Sequence, residues 1–348
     1  MFELSGDTLR LIRKSCTGKK HIKLTVGYIT DTTAVTKVYN EDGEVDSSQD
    51  FQYEIGSITK TFTTSLLSKY VFEKKVSIHD SIQKYINGLE ADAHYPSFLR
   101  LATHSSGYSA RLPFTKREYW NLIVDLLIGG NKLNEKNPLN MDPTIMKRLI
   151  EKNQLKEGID SWKYSNFGIS LIGYALGQIS GNGYWDLMNS FLQNELGLSD
   201  TYLGTSHNIL PGYNKKNQDC GNWSWHKENL IAPAGAISST AADLLKYAQN
   251  NFYEDQPYFS LCHRKHGEGT KKYDMGLGWF LLKRNNHVLL HGGGTGCFRS
   301  FLGIDKEKKV ASVVLANYRL GRNEDEKIGM SLLESLQQYV VSTCKQEI

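Results

Sequence analysis

The sequence predicts an α+β fold in which an antiparallel sheet flanked by helices forms one lobe and helices form the other. Segments rich in β-branched and aromatic residues lie near both ends of the chain, at residues 22–39 and 277–316, and a region of helical periodicity separates them. The terminal segments would then share one sheet. Residues 1–80 and 232–348 are expected to form the mixed lobe, and residues 81–231 the helical lobe.

Short turn sequences delimit the predicted strands. The polar residues 30–33 divide the first strand segment into a hairpin, Asp42-Gly43 marks a second turn, and residues 285–286 and 306–309 mark two more. The predicted strands lie in residues 22–39, 277–283, 288–291, 298–304 and 310–316. The predicted helices are residues 3–15, 57–71, 120–129, 143–152, 166–180, 184–196, 239–248 and 325–341.

Composition indicates an ordinary globular protein. Of the 348 residues, 40% are hydrophobic and 22% are charged, so the chain can bury a core. The net charge of +4 is spread along the sequence, without the dense basic run that nucleic-acid binding favours. No run of about 18 apolar residues is present, so a membrane span is not expected.

The cysteines and the N-terminal residues bear on the compartment. Five cysteines with wide spacing and no CxxC pair favour reduced thiols over a disulfide framework. No signal peptide is visible in the first residues, so we expect a cytoplasmic location. We expect a small-molecule or short-peptide substrate, and the sequence carries no signal for an oligomeric state.

Ser57 and Lys60 form the sharpest local motif. Residues three apart share one face of a helix, with about 5–6 Å between β-carbons, so the lysine amine can reach the serine hydroxyl. A neutral lysine can accept the serine proton, which is the Ser-Lys form of nucleophile activation. We therefore predict Ser57 as nucleophile and Lys60 as base, with the Ser57 N–H as one oxyanion donor.

The same spacing occurs three times more, so the motif alone is weak. The other copies are Ser81 with Lys84, Ser224 with Lys227 and Ser342 with Lys345. Only the Ser57 copy opens a strongly apolar helix directly after a predicted strand. This context selects the Ser57 copy, because a base must lie among apolar residues to lose its charge.

Tyr164 and Asn166 form the second motif, at a loop-to-helix turn. A tyrosine hydroxyl can pass a proton between a nucleophile and a leaving group, and an asparagine amide can orient a substrate carbonyl. Two other Tyr-x-Asn triplets exist in the chain, at Tyr85 and Tyr119. The alternative interpretation is a capped helix with a buried aromatic residue.

The segment His291-Gly292-Gly293-Gly294 forms the third motif, at the end of an apolar strand. Consecutive glycines let a substrate lie against the strand edge, and the Gly294 N–H is a candidate for the second oxyanion donor. A phosphate-binding loop is disfavoured because no helix follows the glycines and the lysine of that motif is missing. His263 and His266 lack a second ligand pair, so we expect no metal site.

Together the three motifs resemble the serine β-lactamase and penicillin-binding superfamily, most closely its class C-like branch with esterases and D-aminopeptidases. Residues 101–107 (LATHSSG) and 233–243 (PAGAISSTAAD) resemble two further segments of that branch, and the resemblance covers about residues 20–340. It implies an active site between a mixed lobe and a helical lobe, and an acyl-enzyme on Ser57. It also implies Lys60 as base, Tyr164 as proton-transfer partner, Asn166, His291, Gly293 and Gly294 as substrate-binding residues, and no cofactor.

One departure from the family shifts the expected substrate. β-Lactamases and D,D-carboxypeptidases usually carry Lys-Thr-Gly where this chain has His291-Gly292-Gly293, so a charge that helps to hold a carboxylate is lost. Hydrolysis of an ester or amide, including a D-amino-acid amide, is the leading hypothesis. A β-lactamase or D,D-carboxypeptidase and a non-hydrolytic penicillin-binding sensor are the alternatives. An interaction protein on the same scaffold is disfavoured by intact Ser57, Lys60 and Tyr164.

Overall fold

The computed structural model describes residues 2–30, 33–45, 50–109, 116–117, 120, 140–158, 161–204, 208–253 and 256–344. Its strands are β1 (Leu24–Thr30), β2 (Thr33–Tyr39), β3 (Glu44–Val45), β4 (Tyr53–Glu54), β5 (Tyr202–Leu203), β6 (Ile237–Ser239), β7 (Gly267–Glu268), β8 (Tyr273–Met275), β9 (Phe280–Leu282), β10 (Val288–Gly294), β11 (Arg299–Asp305) and β12 (Val310–Ala316). Its helices are α1 (Gly6–Cys16), α2 (Thr59–Phe72), α3 (Phe98–Ala102), α4 (Pro143–Lys152), α5 (Asn166–Ser180), α6 (Gly183–Ser190), α7 (Ala241–Tyr253), α8 (Phe259–His263) and α9 (Glu324–Cys344).

Nine strands form one antiparallel sheet in the order β3-β2-β1-β12-β11-β10-β9-β8-β7. The first long strand pairs with the last, with Leu24 opposite Ala316, so the two ends of the chain share the sheet as predicted. A second sheet of three short strands has the order β4-β6-β5. The expected α+β fold with an antiparallel sheet is confirmed.

Helices cover both faces of the large sheet, which is why β12 is buried along its whole length. Side chains alternate between the faces of a strand. Val313 and Leu315 accordingly join the core that contains α2, α5 and α7, whereas Val314 joins the core that contains α1 and α9. The face toward α2 and α5 is the one that carries the predicted nucleophile.

Several predicted elements match the structure closely. The predicted helices at residues 143–152 and 166–180 and the strand at 310–316 have the observed bounds of α4, α5 and β12. The helix predicted at 239–248 begins two residues later and extends to Tyr253. The helix predicted at 120–129 lies outside the described residues apart from Trp120. The division into lobes at residues 80/81 and 231/232 stays a prediction.

The strand predicted at residues 277–283 is shorter in the structure. Only Phe280–Leu282 pairs as β9, because Gly278 has φ +71 and turns the chain next to α2. The sequence does not predict the short strand β8 or the short edge strand β7. They lie in a polar stretch that lacks the apolar alternation of a half-buried strand.

The expectation of reduced cysteines is wrong for one pair. Cys220 and Cys297 form a disulfide with a Cα–Cα distance of 6.7 Å and a sequence separation of 77 residues. It joins the loop that precedes β6 to the turn between β10 and β11. Cys16 and Cys262 are buried free thiols. Sequence spacing could not predict this pair, because the two residues meet only through the tertiary fold.

Candidate active site

The predicted nucleophile lies at the turn between β4 and α2. Gly56–Ile58 form a short 3₁₀ turn that leads directly into α2, and Ser57 is partly exposed there. Gly56 has φ +48, and a β-carbon at this position would lie 2.6 Å from the Gly294 nitrogen. Only glycine fits here, since the backbone is left-handed and a second strand is in direct contact.

Lys60 is fully buried on the first turn of α2. Its Nζ donates hydrogen bonds to Ser57 Oγ at 2.9 Å and to the Ala234 carbonyl at 2.6 Å. Both acceptors are uncharged. Burial therefore lowers the pKa of Lys60 well below its ordinary value. An amine with a lowered pKa can be neutral and accept the Ser57 proton, as the sequence predicts.

The Ala234 carbonyl is held in place from two sides. Thr63, one turn after Lys60 on α2, donates to the Pro233 carbonyl at 2.7 Å. On the other side, Gly173 of α5 packs against the Pro233 ring so closely that an added β-carbon would overlap it. This acceptor is a backbone atom, and no side chain in the sequence could reveal it.

Tyr164 lies beside the same two side chains. Its hydroxyl hydrogen-bonds with the Ser57 side chain, and its ring centroid is 5.1 Å from Lys60 Nζ. Burial raises the pKa of Tyr164 above its ordinary value, so the hydroxyl is protonated at neutral pH. The structure thus brings together the three residues predicted to be catalytic.

Asn166 lies two residues beyond Tyr164, at the first position of α5. It is partly exposed, and its backbone carbonyl accepts a hydrogen bond from Ser170 Oγ at 2.9 Å. The cap of α5 is Ser165, whose hydroxyl accepts the Gly168 N–H at 3.0 Å. The role of Asn166 in substrate binding stays a prediction.

A histidine that the sequence analysis did not select lies against Tyr164. His104 is fully buried, and its ring centroid is 4.5 Å from that of Tyr164. Its Nδ1 accepts the Ser165 N–H at 3.2 Å. The residue falls within the LATHSSG segment, whose resemblance to the family gives His104 no role.

The end of β10 lies against the nucleophile turn. A β-carbon at Gly293 would overlap the Ile55 carbonyl oxygen and Ser300 Oγ. Ser300 Oγ also donates to the Ile55 carbonyl at 2.8 Å, which ties β11 to the same turn. This contact brings the Gly294 backbone next to Gly56 and Ser57, where the second oxyanion donor was predicted.

His291 is buried at the same strand end. Its Nδ1 hydrogen-bonds with the Gly292 carbonyl at 2.7 Å. Burial, with a smaller contribution from Lys60, lowers the pKa of His291 to about 3. His291 is therefore neutral at physiological pH and cannot replace the charge of the family's usual lysine.

Cationic side chains supply positive charge elsewhere around the nucleophile. A cavity of about 630 Å³ contains Ser57 and the three glycines of β10, and four cations line it: Lys215, Arg299, Arg319 and Arg322. Asp325 and Glu326 also line the cavity. Burial raises the pKa of Asp325 to about 6, although Arg299 opposes the rise. The cations outnumber the acids four to two.

Arg299 also braces the turn that joins β10 to β11. Its Nη1 donates to the Phe298 carbonyl at 2.9 Å and to the Thr295 carbonyl at 3.4 Å. Cys297 of the same turn is held by its disulfide with Cys220. The turn that follows Gly294 is therefore fixed by a covalent bond and a guanidinium group.

The remaining histidines examined as metal ligands have partners within the protein. His263 Nε2 hydrogen-bonds with Asn251 Oδ1 and His266 Nε2 with the Leu261 carbonyl, each at 2.8 Å. In the part of the chain that the structure describes, no three His, Cys, Asp or Glu side chains are grouped as metal ligands. None of the described helices has the length and apolarity to cross a membrane.

Comparison with known proteins agrees with this geometry. The beta-lactamase family model matches residues 22–335. The chain belongs to the beta-lactamase family. The serine β-lactamase and penicillin-binding superfamily, predicted from the motifs, is thereby confirmed, and class C beta-lactamases share the fold of this chain. The match includes all the residues predicted for the site.

Individual members of the beta-lactamase family are distant in sequence but close in fold. A beta-lactamase of Providencia stuartii is 25% identical over 219 residues, which cover 62% of this chain and 50% of that protein, so the alignment spans half of the relative's length. A class C beta-lactamase has a TM-score of 0.75 at 20% identity, covering 95% of this chain and 96% of that chain. A beta-lactamase/D-alanine carboxypeptidase from Pseudomonas syringae has a TM-score of 0.74 at 18% identity, covering 94% and 97%.

We expect Gly293→Ala to separate β10 from the nucleophile turn. The new methyl group would overlap the Ile55 carbonyl oxygen, which is backbone and cannot rotate away. Misaligning one oxyanion donor costs about 10²–10³ in rate, and overpacking costs about 1–3 kcal/mol of stability. Ester turnover and urea unfolding measure the two effects.

The matched control for stability is Gly292→Ala. A β-carbon there meets nothing closer than the Ser300 carbonyl oxygen at 3.8 Å, which is an ordinary contact. We expect its unfolding midpoint to stay near that of the wild type. A Gly293→Ala protein that matched the wild type in both stability and turnover would contradict the proposed contact.

We expect Lys60→Met to flatten the pH dependence of folding stability. Because the folded state lowers the pKa of Lys60, the unfolded state binds more protons between that lowered pKa and about pH 10.5. This difference makes the wild type more stable as pH rises, by at most about 1.4 kcal/mol per pH unit. Urea unfolding of both proteins at pH 7 and pH 9 tests this. If the free energy of unfolding changed equally between pH 7 and pH 9 in the two proteins, Lys60 would not be desolvated.

Proposed function

We propose that the protein is a serine hydrolase that forms an acyl-enzyme on Ser57 from an ester or amide substrate. The observation that carries this proposal is the buried Lys60 amine, which donates to Ser57 Oγ at 2.9 Å and has only uncharged hydrogen-bond partners among the described residues. A surface lysine would stay protonated and could not act as a base. Membership in the beta-lactamase family supports the same chemistry.

In the first step, Ser57 Oγ attacks the substrate carbonyl carbon while its proton passes to neutral Lys60. The carbonyl oxygen becomes an oxyanion and accepts hydrogen bonds from the Ser57 and Gly294 N–H groups. The contact between Gly56 and the Gly294 backbone supports this pairing of donors. Both donors are backbone groups on fixed elements, so they need little reorganisation during the reaction.

In the second step, the bond to the leaving group breaks and the leaving group takes a proton. Tyr164 is suited to deliver it, because its hydroxyl is protonated at neutral pH and hydrogen-bonds with Ser57. The proton on Lys60 can replace the one that Tyr164 gives up. Attack by water on the acyl-enzyme then regenerates Ser57 through the same proton transfers in reverse.

We further propose that the substrate carries an anionic group. His291 is neutral, so the family's usual lysine charge is missing, yet Arg299, Arg319 and Arg322 line the cavity that contains Ser57. A carboxylate beside the reacting carbonyl would be attracted to this set of cations. The second candidate, a β-lactamase or D,D-carboxypeptidase, is favoured by the same cations, since its substrates carry a carboxylate.

The disulfide bears on the compartment. The sequence predicts a cytoplasmic location, but disulfides persist mainly in oxidising environments and are rare in the cytosol. The bond between Cys220 and Cys297 therefore favours an oxidising compartment. We therefore propose an oxidising compartment in place of the cytoplasm.

The test of the nucleophile combines labelling with turnover. We expect a fluorophosphonate to label the wild type once and to leave Ser57→Ala unlabelled in intact-mass measurements. Hydrolysis of a small p-nitrophenyl ester should fall by at least ~10³-fold in Ser57→Ala, and nearly as far in Lys60→Ala, because residues of one catalytic unit are non-additive. Labelling that survives Ser57→Ala, or near-normal turnover by Lys60→Ala, would refute these roles.

The test of substrate charge uses two esters that differ by one carboxylate, p-nitrophenyl butyrate and mono-p-nitrophenyl succinate. We expect the wild type to prefer the anionic ester, and Arg322→Gln to raise KM for that ester by about tenfold while leaving the neutral ester unchanged. The control is Arg284→Gln, which removes the same charge outside the cavity, where Arg284 pairs with Glu334. Equal kinetics for the two esters would rule out the anionic subsite.

Turnover of nitrocefin separates the two candidate functions. Rapid hydrolysis that depends on Ser57 would favour the β-lactamase, whereas ester or D-alanyl anilide turnover without it would favour the esterase or amidase. A stable penicillin adduct without any turnover would point to the penicillin-binding sensor.

A further inference from the structure

The loop that carries Tyr164 is bracketed by one residue. The His104 carbonyl accepts the Lys163 N–H at 2.7 Å, and the His104 Nδ1 accepts the Ser165 N–H at 3.2 Å. These two bonds fix the backbone immediately before and after Tyr164. The imidazole also lies 4.5 Å from the Tyr164 ring, at an interplanar angle of 42°.

The backbone of His104 is unusual for a histidine. The residue follows α3 and its cap Thr103, and it has φ +58 in the left-handed region. Helices often end in this way, but the residue at this point is normally glycine. A left-handed conformation is less favourable for an L-residue than for glycine, because its β-carbon comes too close to the following carbonyl oxygen. Unlike a glycine, His104 brings a ring to this position that contacts Ser165 and Tyr164.

The protonation state of His104 follows from its geometry. Since Nδ1 accepts the Ser165 N–H, the proton of the neutral ring is on Nε2. The ring is fully buried, and burial together with nearby Lys60 and His291 lowers its pKa well below the ordinary value. His104 is therefore neutral and adds no charge that would compete with Lys60 or Ser57.

The Tyr164 ring lies between two groups of the site. It is flanked by the Lys60 amine, 5.1 Å from the centroid, and by the His104 ring. Ser165 caps α5 through its hydroxyl, so its backbone N–H is left for the bond to His104. The path from α3 through His104 to the 163–165 backbone is thus a direct link between a helix end and the hydroxyl that contacts Ser57.

We propose that His104 is a positioning residue that holds the Tyr164 hydroxyl against Ser57 and Lys60. This inference rests on the proposed function, in which Tyr164 delivers the leaving-group proton. His104 is not among the residues that line the cavity with Ser57, and its effect on the reaction passes through Tyr164.

Two substitutions at His104 separate the loss of its hydrogen-bond acceptor from strain in the backbone. His104→Gly removes the ring and the acceptor but suits φ +58, so the turn after α3 is not strained. His104→Asn keeps an acceptor, because Oδ1 lies close to the position of Nδ1, and asparagine tolerates the left-handed region. We expect His104→Gly to lower kcat by about 10- to 100-fold with KM within about twofold, and His104→Asn to keep kcat within about fivefold of the wild type.

A double-mutant cycle with Tyr164→Phe identifies the route of the effect. Removing a general acid costs about 10²–10⁴ in rate. If His104 acts only through Tyr164, adding His104→Gly to the Tyr164→Phe protein lowers kcat by less than a further twofold. Multiplied losses, or a His104→Gly protein with wild-type kcat, would overturn the proposal. Rescue by His104→Asn distinguishes positioning from a general loss of stability.

Crystal structures of the wild type, His104→Gly and His104→Asn test the same claim without turnover. We expect Tyr164 to shift away from Ser57 or to lose defined density in His104→Gly, and to keep its place in His104→Asn. An unmoved Tyr164 in His104→Gly would refute positioning whatever the kinetics. Absence of Ser57-dependent labelling in the wild type would instead refute the proposed function, so the two failures are distinguishable.

Discussion

The site depends on keeping one lysine amine buried beside a serine hydroxyl. Lys60 is surrounded by groups that can accept its hydrogen bonds without adding negative charge: the hydroxyl of Ser57 and the carbonyl of Ala234. A carboxylate in either place would favour the ammonium form and remove the proposed base. This requirement explains why the acceptor opposite Ser57 is a backbone carbonyl, and why the two helices around Pro233 pack so tightly against it. His291, at the end of β10, is also neutral, because burial lowers its pKa to about 3.

Much of the fold follows from local patterns in the sequence. Long segments with clear periodicity and clear boundaries, such as α5 and β12, have the predicted bounds because their burial and their caps are set by nearby residues. The short strands β7 and β8 could not be predicted, since two or three residues carry too little alternation. The turn at Gly278 was also missed, because its backbone conformation is imposed by contact with α2 rather than by its neighbours in the chain.

The residues of the site that lie close together in sequence could be predicted from helical spacing. Contacts between distant segments of the chain could not. Ser57 and Lys60 are three residues apart, so helical geometry alone places them together. The disulfide between Cys220 and Cys297 contradicts the prediction of reduced thiols, since wide spacing says nothing about proximity in the fold. His104 lies in the LATHSSG segment, but the sequence assigns it no role. Its left-handed backbone and its bond to Ser165 depend on the tertiary structure, which places the end of α3 beside the start of α5.

The pairing of the first long strand with the last has a consequence for the order in which the site is assembled during folding. Because Leu24 lies opposite Ala316, the sheet is complete only when its last long strand pairs with its first, a contact between residues far apart in the chain, and such contacts form slowly. During synthesis, the segment with Ser57 and Lys60 leaves the ribosome long before β10, which carries Gly294. The nascent chain therefore holds a serine and a lysine without the strand that completes their surroundings. The surroundings of the predicted nucleophile are therefore completed late, when the C-terminal strands close the sheet.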